Sequence, residues 1–505
     1  MNVEILDTTL RDGEQTSSVS FSASEKLSIV RLLLEELHIP RIEIASARVS
    51  EGEFETVRNV CAWAERMGHL DKLEVLGFID NGLSIDWVKR VGAKVINLLS
   101  KGSEKHCLYQ LKKTPQEHFD SICSEVEHAV AEGLDVNLYL EDWSNGIKNS
   151  YKYVYELMDA VRHLPIKRYM LPDTLGILNP YDTLANVQRM IKRYPDLHFD
   201  FHAHNDYDLA TSNVYAAVLG GARGVHCTVN GLGERAGNAC LSSVIAVIHD
   251  QLKRHTGVDE TKINKVSRIV ESFSGVLIPQ NKPIVGEHVF TQCAGVHADG
   301  DNKNNLYYND LLPERFGRER EYALGKTSGK ANIKKNLEAL GIELTDDDVQ
   351  KVTQRIIELG DKKELVTQED LPFIVADVLK QATLPDKVRI INYALNLSEG
   401  LRPTATIKLA IEGTEYQETA VGDGQYDAFV KAVRNIYRRD LNREFPALTN
   451  YSVNIPPGGR TDALVHTTIS WDYKNHSFKT RGLDADQTEA AIQATIKMLN
   501  IIENL

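Results

Sequence analysis

Apolar segments and helical segments alternate regularly through the first half of the chain, and this rhythm constrains the fold more than any other feature. Up to about residue 250, eight segments have the length and apolar content of strands: 2–8, 41–46, 73–79, 94–100, 135–141, 168–173, 198–205 and 224–230. Helical segments fall between most of them, at 23–37, 52–67, 115–132, 148–163, 180–194 and 208–220. This arrangement predicts an α/β fold, a TIM (β/α)8 barrel.

A doubly wound open sheet is the alternative, but it would rarely need eight such units. The glycine fingerprint G-x-G-x-x-G is also missing after the first strand. In the seventh segment, Asp200, His202 and His204 alternate with Phe199 and Phe201, so one face is polar. A polar inner face near the carboxyl ends of the strands is where barrel enzymes place their chemistry.

Composition limits the remaining possibilities. A chain of 505 residues exceeds one ordinary core, so we expect two or three domains. The net charge of −13 disfavours nucleic acid as a partner. We expect neither a signal peptide nor a membrane span, because no apolar run reaches the roughly 20 residues that a bilayer span requires. Six scattered cysteines without a CxxC pair indicate reduced thiols, and we expect a cytoplasmic protein.

The pattern changes twice after the barrel. We assign 1–260 to the barrel, 261–385 to helical linker subdomains and 386–505 to an α+β domain. In the last segment, a set of strands, a loop and a helix occurs twice, which indicates a pseudo-twofold internal repeat. A ligand site between the repeats and a plain dimerisation domain are both compatible with this pattern.

Three residues at predicted strand ends suit a metal ion. Imidazoles at His202 and His204 point the same way, about 7 Å apart along a strand. A pair of hydrogen-bonded histidines is the simpler alternative. Asp12 just after the first strand adds an oxygen, and three ligands with open positions suit catalytic Zn, Mn, Mg or Co. The neighbouring Arg11 suits a substrate carboxylate or a developing enolate oxygen.

Other strand ends also carry polar residues. Glu141 ends the fifth strand, and Thr174 follows the sixth, where its hydroxyl suits a carboxylate oxygen. The glycine-rich stretch NGLGERAGN follows the eighth strand and lets Asn238 approach the site closely, as a candidate further metal ligand.

Together, LDTTLRDGEQ, HAHND and NGLGERAGN resemble the acyl-CoA-condensing branch of the DRE-TIM metallolyases. This branch contains the isopropylmalate, homocitrate and citramalate synthases. GVHADG and ERFGREREYALGKTSGKANI resemble the linker subdomains of the family, and 386–505 resembles its amino-acid-sensing domain. The resemblance covers essentially the whole chain. It implies acetyl-CoA as co-substrate, a divalent metal and a homodimer.

Within this branch, SVSFSASEKL, YLEDWSNG and KPIVGEHVFTQ resemble the citramalate synthases most. In that subgroup two leucines and a tyrosine line the 2-oxo acid pocket, and Leu76, Leu99 and Tyr139 match them. A bulky ring at Tyr139 would shorten the pocket, admitting pyruvate and excluding 2-oxoisovalerate. Ordinary barrel filling remains the alternative for these three residues.

The resemblance also implies further roles. Glu141 would lie near the substrate, with His297 and Tyr307 as acid–base candidates and Asn305 assisting, and the last three would reach the partner subunit's site. The sequence does not identify the base. Isoleucine is the implied effector, in a site formed by Tyr426, Asp427, Tyr451, Thr461 and Gln487 with an apolar boundary of Leu448, Ile455 and Val465.

Three other functions are compatible with parts of this sequence. A 2-isopropylmalate synthase, with leucine as the amino acid made, would use the same chemistry in a larger pocket. A relative of HMG-CoA lyase would share the barrel but would not need the long C-terminal half. A silent amino-acid-binding regulator would not need the full set of Arg11, Asp12, Glu141, His202, His204 and His297.

Overall fold

Eight parallel strands close into a barrel in the order β1 to β8, with β8 paired back to β1. The strands are β1 Glu4–Asp7, β2 Arg41–Ser46, β3 Leu73–Phe78, β4 Val95–Lys101, β5 Asp135–Glu141, β6 Ile166–Asp173, β7 Phe199–Ala203 and β8 Gly224–Cys227. This computed structural model describes residues 2–301, 303–304, 306–361, 366, 368–379, 387–454, 465–474 and 476–504. The closed barrel confirms the predicted TIM fold and excludes the open sheet.

Helices follow the strands along the chain: α1 Ala23–Arg31, α2 Glu51–Met67, α3 Leu83–Val91, α4 Pro115–Ala131, α5 Trp143–Asn149, α6 Tyr151–Val161, α7 Pro180–Arg193, α8 Ala210–Gly220, α9 Leu241–Asp250 and α10 Ile263–Ser274. The start of α4 shows why the sequence folds locally. Thr114 Oγ1 accepts from the Glu117 amide at 3.3 Å, while the Glu117 carboxylate accepts from the Thr114 amide at 2.8 Å. The sequence did not indicate α3, which is short and begins after Gly82 without a side-chain cap.

The barrel interior is polar, as the alternation predicts. Arg41 on β2 is buried, and its guanidinium donates to Glu74 at 2.6 Å and to Asp200 at 2.7 Å. Buried charges are tolerated when they are paired and hydrogen-bonded in this way. Nearer the carboxyl ends of the strands, an apolar cluster contains Leu6, Leu76, Tyr139 and Met170, with Leu99 packed against it.

Asp7 at the end of β1 is a buried carboxyl with few partners. Its Oδ1 accepts from the Thr9 amide at 2.9 Å, and its Oδ2 has no hydrogen-bond partner. Burial disfavours the charged form and raises the pKa of Asp7 to about 7. The carboxyl is therefore protonated in the folded protein at mildly acidic pH.

Asp7→Asn is expected to stabilise the protein more at pH 8 than at pH 5. The unfolded chain releases this proton near pH 3.8, so the advantage of the protonated carboxyl is lost as the pH rises towards about 7. Relative to the variant, the wild type should lose about 2–3 kcal/mol of unfolding free energy between these pH values. Urea unfolding measures this difference. The exposed Asp196→Asn is the control, and a pH-independent difference for Asp7→Asn would contradict the prediction.

The chain divides into two compact units, Met1–Thr291 with Tyr308–Glu321, and Gln292–Tyr307 with Tyr322–Leu505. A two-stranded sheet is formed by β9 Thr291–Gln292 and β10 Glu321–Tyr322. The second unit contains α11 Gly295–Asp301 and a helical cluster of α12 Lys330–Ala339, α13 Asp346–Asp361 and α14 Leu371–Leu379.

The C-terminal part of the second unit repeats one arrangement. Two antiparallel sheets, each followed by a helix, share a single apolar core: β11 Val388–Asn396, β12 Thr404–Ile411, β13 Thr414–Val421 and α15 Gln425–Asn435, then β14 Ala447–Asn454, β15 Val465–Tyr473, β16 His476–Asp484 and α16 Gln487–Asn504. This confirms the predicted internal repeat. Among the described residues, no helix combines the length and apolar character that a membrane span requires.

Candidate active site

Asp12, His202 and His204 come together at the carboxyl end of the barrel. Asp12 follows β1, His202 lies in β7, and His204 follows β7 directly. Asp12 Oδ2 lies 3.1 Å from His202 Nε2 and 3.8 Å from His204 Nε2, and all three side chains are buried. Across the described part of the chain, this is the one group of three or more His, Cys, Asp or Glu side chains whose potential ligand atoms lie within 4.8 Å of one another.

The electrostatics of this group suit a cation. Burial, assisted by the neighbouring His202, lowers the pKa of His204 to about 4. Burial alone would raise the pKa of Asp12, but the charge of Arg11 together with His202 and His204 outweighs it and lowers that pKa well below the ordinary value. Neutral imidazoles and an ionised carboxylate are the protonation states that metal ligands need.

Unsatisfied buried atoms support the same conclusion. Asp12 Oδ2 and Asn238 Oδ1 are buried and lack a hydrogen-bond partner. Asn238 pairs through its backbone with His204, so it approaches the group as the glycine-rich turn predicts. A divalent metal ion fits this donor set of one carboxylate and two imidazoles, because it would occupy the buried lone pairs of Asp12 Oδ2 that lack a hydrogen-bond partner.

Arg11 is held by a buried carboxylate that the sequence analysis missed. Arg11 Nε donates to Glu43 Oε2 at 2.6 Å, and Arg11 Nη1 lies 3.5 Å from Asp12 Oδ2. Glu43 also accepts from Thr8 Oγ1 and from Asn97 Nδ2, both at 2.8 Å. The alternation in β2 could have identified Glu43, because this residue lies between Ile42 and Ile44 and therefore faces inward.

The three residues predicted to line the pocket lie together in the barrel, and Tyr139 contacts Arg11. Leu76, Leu99 and Tyr139 belong to one apolar cluster in the barrel. The Tyr139 hydroxyl lies 3.1 Å from His226 Nδ1 and 3.4 Å from Arg11 Nη2. The Tyr139 hydroxyl therefore has two polar neighbours, while its ring belongs to the apolar cluster.

Glu141 and Thr174 occupy neighbouring strand ends. Glu141 is half-buried at the end of β5 and forms an ion pair with Lys101 of β4. Thr174 Oγ1 accepts from the Asp142 amide at 2.9 Å. Because a hydroxyl has one hydrogen and two lone pairs, this bond leaves the Thr174 hydrogen free to donate to a ligand.

Two of the predicted acid–base residues meet in the second unit. The rings of His297 and Tyr307 have centroids 4.3 Å apart. Asn305 lies outside the described residues.

The predicted effector residues are brought together only in part. The rings of Tyr426 and Tyr451 have centroids 5.4 Å apart, and the Gln487 side chain is near enough to Tyr451 to affect its pKa. Asp427 instead pairs with Lys431 of its own helix at 2.7 Å, Leu448 is 40% exposed, and Val465 is buried. Ile455 and Thr461 lie outside the described residues.

Family models match nearly the whole chain. Residues 2–270 match the model described as HMGL-like. Residues 284–364 match a homocitrate synthase post-HMGL domain-like model, and residues 365–503 match the LeuA allosteric (dimerisation) domain.

Relatives of similar length are named either as (R)-citramalate synthases or as 2-isopropylmalate synthases. The chain is 33% identical to the (R)-citramalate synthase of Methanocaldococcus jannaschii, with 100% of both chains covered. It is 34% identical to a putative (R)-citramalate synthase of Methanopyrus kandleri, covering 92% of this chain and 89% of that one. It is also 33% identical to a probable 2-isopropylmalate synthase of Methanopyrus kandleri, covering 99% and 98%.

Proposed function

The chain is an acyltransferase that belongs to the HMGL-like family, and we propose that it condenses acetyl-CoA with pyruvate to give (R)-citramalate and CoA. The observation that carries the proposal is the position of Arg11, which lies between the metal-binding group and the ring of Tyr139. This arrangement suits a small 2-oxo acid, with its carboxylate and ketone at the polar end and its methyl group against the apolar cluster. The product would serve isoleucine synthesis through 2-oxobutanoate.

Separate residues of the site bind the metal ion, bind the substrate carboxylate and line the pocket. Asp12, His202 and His204, with Asn238 as a further candidate, would hold a divalent metal ion, whose chemistry is Lewis-acid polarisation of the ketone. Arg11 and Thr174 bind the carboxylate of pyruvate and stabilise negative charge that develops on the ketone oxygen. Leu76, Leu99 and Tyr139 fill the space beyond the methyl group.

The acid–base step uses the remaining candidates. The set of Glu141, His297 and Tyr307, assisted by Asn305, supplies the base that takes a proton from the acetyl methyl group. The resulting carbanion forms a carbon–carbon bond with the ketone carbon of pyruvate, and the ketone oxygen is protonated. Water then cleaves the thioester, releasing CoA and citramalate, which makes the condensation irreversible.

The experiment that tests this function measures CoA thiol release from acetyl-CoA with pyruvate, 2-oxoisovalerate and 2-oxoglutarate in parallel. We expect pyruvate to give the highest kcat/KM. A preference for 2-oxoisovalerate would instead favour a 2-isopropylmalate synthase, the function named for one of the relatives. The apolar cluster around Tyr139 favours the smaller substrate.

Tyr139→Ala is expected to relax this preference. Removing the ring would open space for an isopropyl group, so the ratio of kcat/KM for 2-oxoisovalerate over pyruvate should rise by about 10–100-fold. Tyr139→Phe is the matched control, because it keeps the ring and removes only the hydroxyl that contacts His226 and Arg11. An unchanged ratio in Tyr139→Ala would argue against the pocket assignment.

The domains after the barrel would serve assembly and regulation. We assign 261–385 to a linker that completes the partner subunit's site in a homodimer. We assign 386–505 to an effector domain, since most of it matches the family model of the LeuA allosteric (dimerisation) domain. Contact between Tyr426, Tyr451 and Gln487 across α15, β14 and α16 supports a site there. Inhibition by isoleucine at concentrations where leucine has no effect would support isoleucine as the effector.

A further inference from the structure

Neighbouring strands β4 and β5 present three successive inward pairs of side chains. In their register, Asn97 lies opposite Asn137, Leu99 opposite Tyr139, and Lys101 opposite Glu141. The first pair is hydrogen-bonded at 2.9 Å inside the barrel, and the second belongs to the apolar cluster. The third pair is an ion pair at the ends of the strands, where Lys101 Nζ contacts the Glu141 carboxylate.

The backbone beneath this ion pair is fixed on every side. The Lys101 amide donates to His118 Nε2 at 3.1 Å, and its carbonyl accepts from the Tyr153 hydroxyl at 2.9 Å. The Glu141 carbonyl accepts from the Gly102 amide at 2.6 Å. Gly102 is required there, because a Cβ would lie 2.4 Å from the Leu140 carbonyl oxygen. The backbone of both charged residues is therefore held by hydrogen bonds.

Stability does not explain this pair. The side chains of Lys101 and Glu141 are only 10% and 24% exposed, so each charge loses much of its hydration. The cost of removing two charges from water offsets most of their attraction. Among the described residues, Glu141 is the single carboxylate within ion-pair distance of Lys101. A pair of this kind at the functional end of a barrel points to a role in the reaction.

We propose that Lys101 is a positioning residue for Glu141: its ammonium group fixes the orientation of that carboxylate at the carboxyl end of the barrel. This inference rests on the proposed function, in which Glu141 takes part in proton transfer. A carboxylate without this partner would sample several rotamers, and fewer of them would present an oxygen to the reacting group. Lys101 thereby acts on the turnover step through Glu141, without contacting the 2-oxo acid.

A double-mutant cycle on the full-length enzyme tests the proposal, with the variants Lys101→Met, Glu141→Gln and their combination. Lys101→Met should lower kcat about 30–100-fold, with KM for pyruvate unchanged within about 3-fold. In the Glu141→Gln background, Lys101→Met should change kcat by less than about 3-fold, because its effect passes through Glu141. Lys101→Arg should recover most of kcat, since it restores the positive charge.

Controls separate this proposal from its premise. Lys89→Met breaks an exposed ion pair with Glu132 and should leave kcat unchanged, and thermal unfolding checks that each variant folds. If the wild type releases no CoA, or Glu141→Gln is fully active, the premise fails and the proposal falls with it. If both single variants are impaired but their effects multiply, or if Lys101→Met raises KM alone, the proposal is overturned while the proposed function stands.

Discussion

His202→Ala is expected to lower CoA release from acetyl-CoA and pyruvate by at least about 10³-fold and to abolish retention of metal. Asp12, His202 and His204 form a buried group whose potential ligand atoms lie within 4.8 Å of one another. Removing one imidazole leaves two protein ligands, too few to hold an exchangeable divalent ion firmly. Elemental analysis after dialysis measures the metal, and a thiol assay measures the rate.

His198→Ala is the matched control for this variant. His198 directly precedes β7 and faces the same inward side as His202. Its Nε2 lies 3.0 Å from Asp200 Oδ1. We expect this variant to keep its metal and to remain within about 3-fold of wild-type kcat, because it leaves all three ligands in place. A His202→Ala enzyme that retained both metal and activity would overturn the metal site.

Much of the fold followed from periodicity in the sequence. The eight strands of the barrel and both C-terminal repeats carry long apolar runs or strict alternation, which local sequence expresses directly. Helix α3 Leu83–Val91 was missed because it spans only nine residues and begins after Gly82 without a side-chain cap. A helix of this length is stabilised mainly by its packing against the barrel, which local patterns do not reveal.

The candidate site was predictable where residues follow strand ends and less so where they act across strands. Asp12, His202 and His204 stand at positions that any barrel brings to one end. Glu43 and Lys101 instead owe their importance to partners far along the chain, Arg11 and Glu141, and such pairs depend on the strand register. The sequence does not reveal this register, which is visible only in the three-dimensional structure of the barrel.

Glu43→Gln is expected to lower kcat about 100-fold or more. Glu43 is fully buried and accepts hydrogen bonds from Arg11, Thr8 and Asn97. Burial alone would raise the pKa of Glu43, but the charge of Arg11 together with the hydrogen bonds from Asn97 and Thr8 outweighs it, and the pKa is lowered. The neutral amide would leave Arg11 turned towards Asp12, its remaining carboxylate neighbour, and away from the substrate carboxylate.

Glu74→Gln separates this effect from a general loss of stability. Glu74 is a second buried carboxylate on the inward face of the barrel, and it pairs with Arg41 at 2.6 Å as Glu43 pairs with Arg11. Both variants should lose about 3–5 kcal/mol of unfolding free energy, since each leaves a buried guanidinium without one partner. Only Glu43→Gln should lose activity at a temperature where both are folded. Equal losses of kcat in the two variants would mean that the barrel interior supports the site only through its stability.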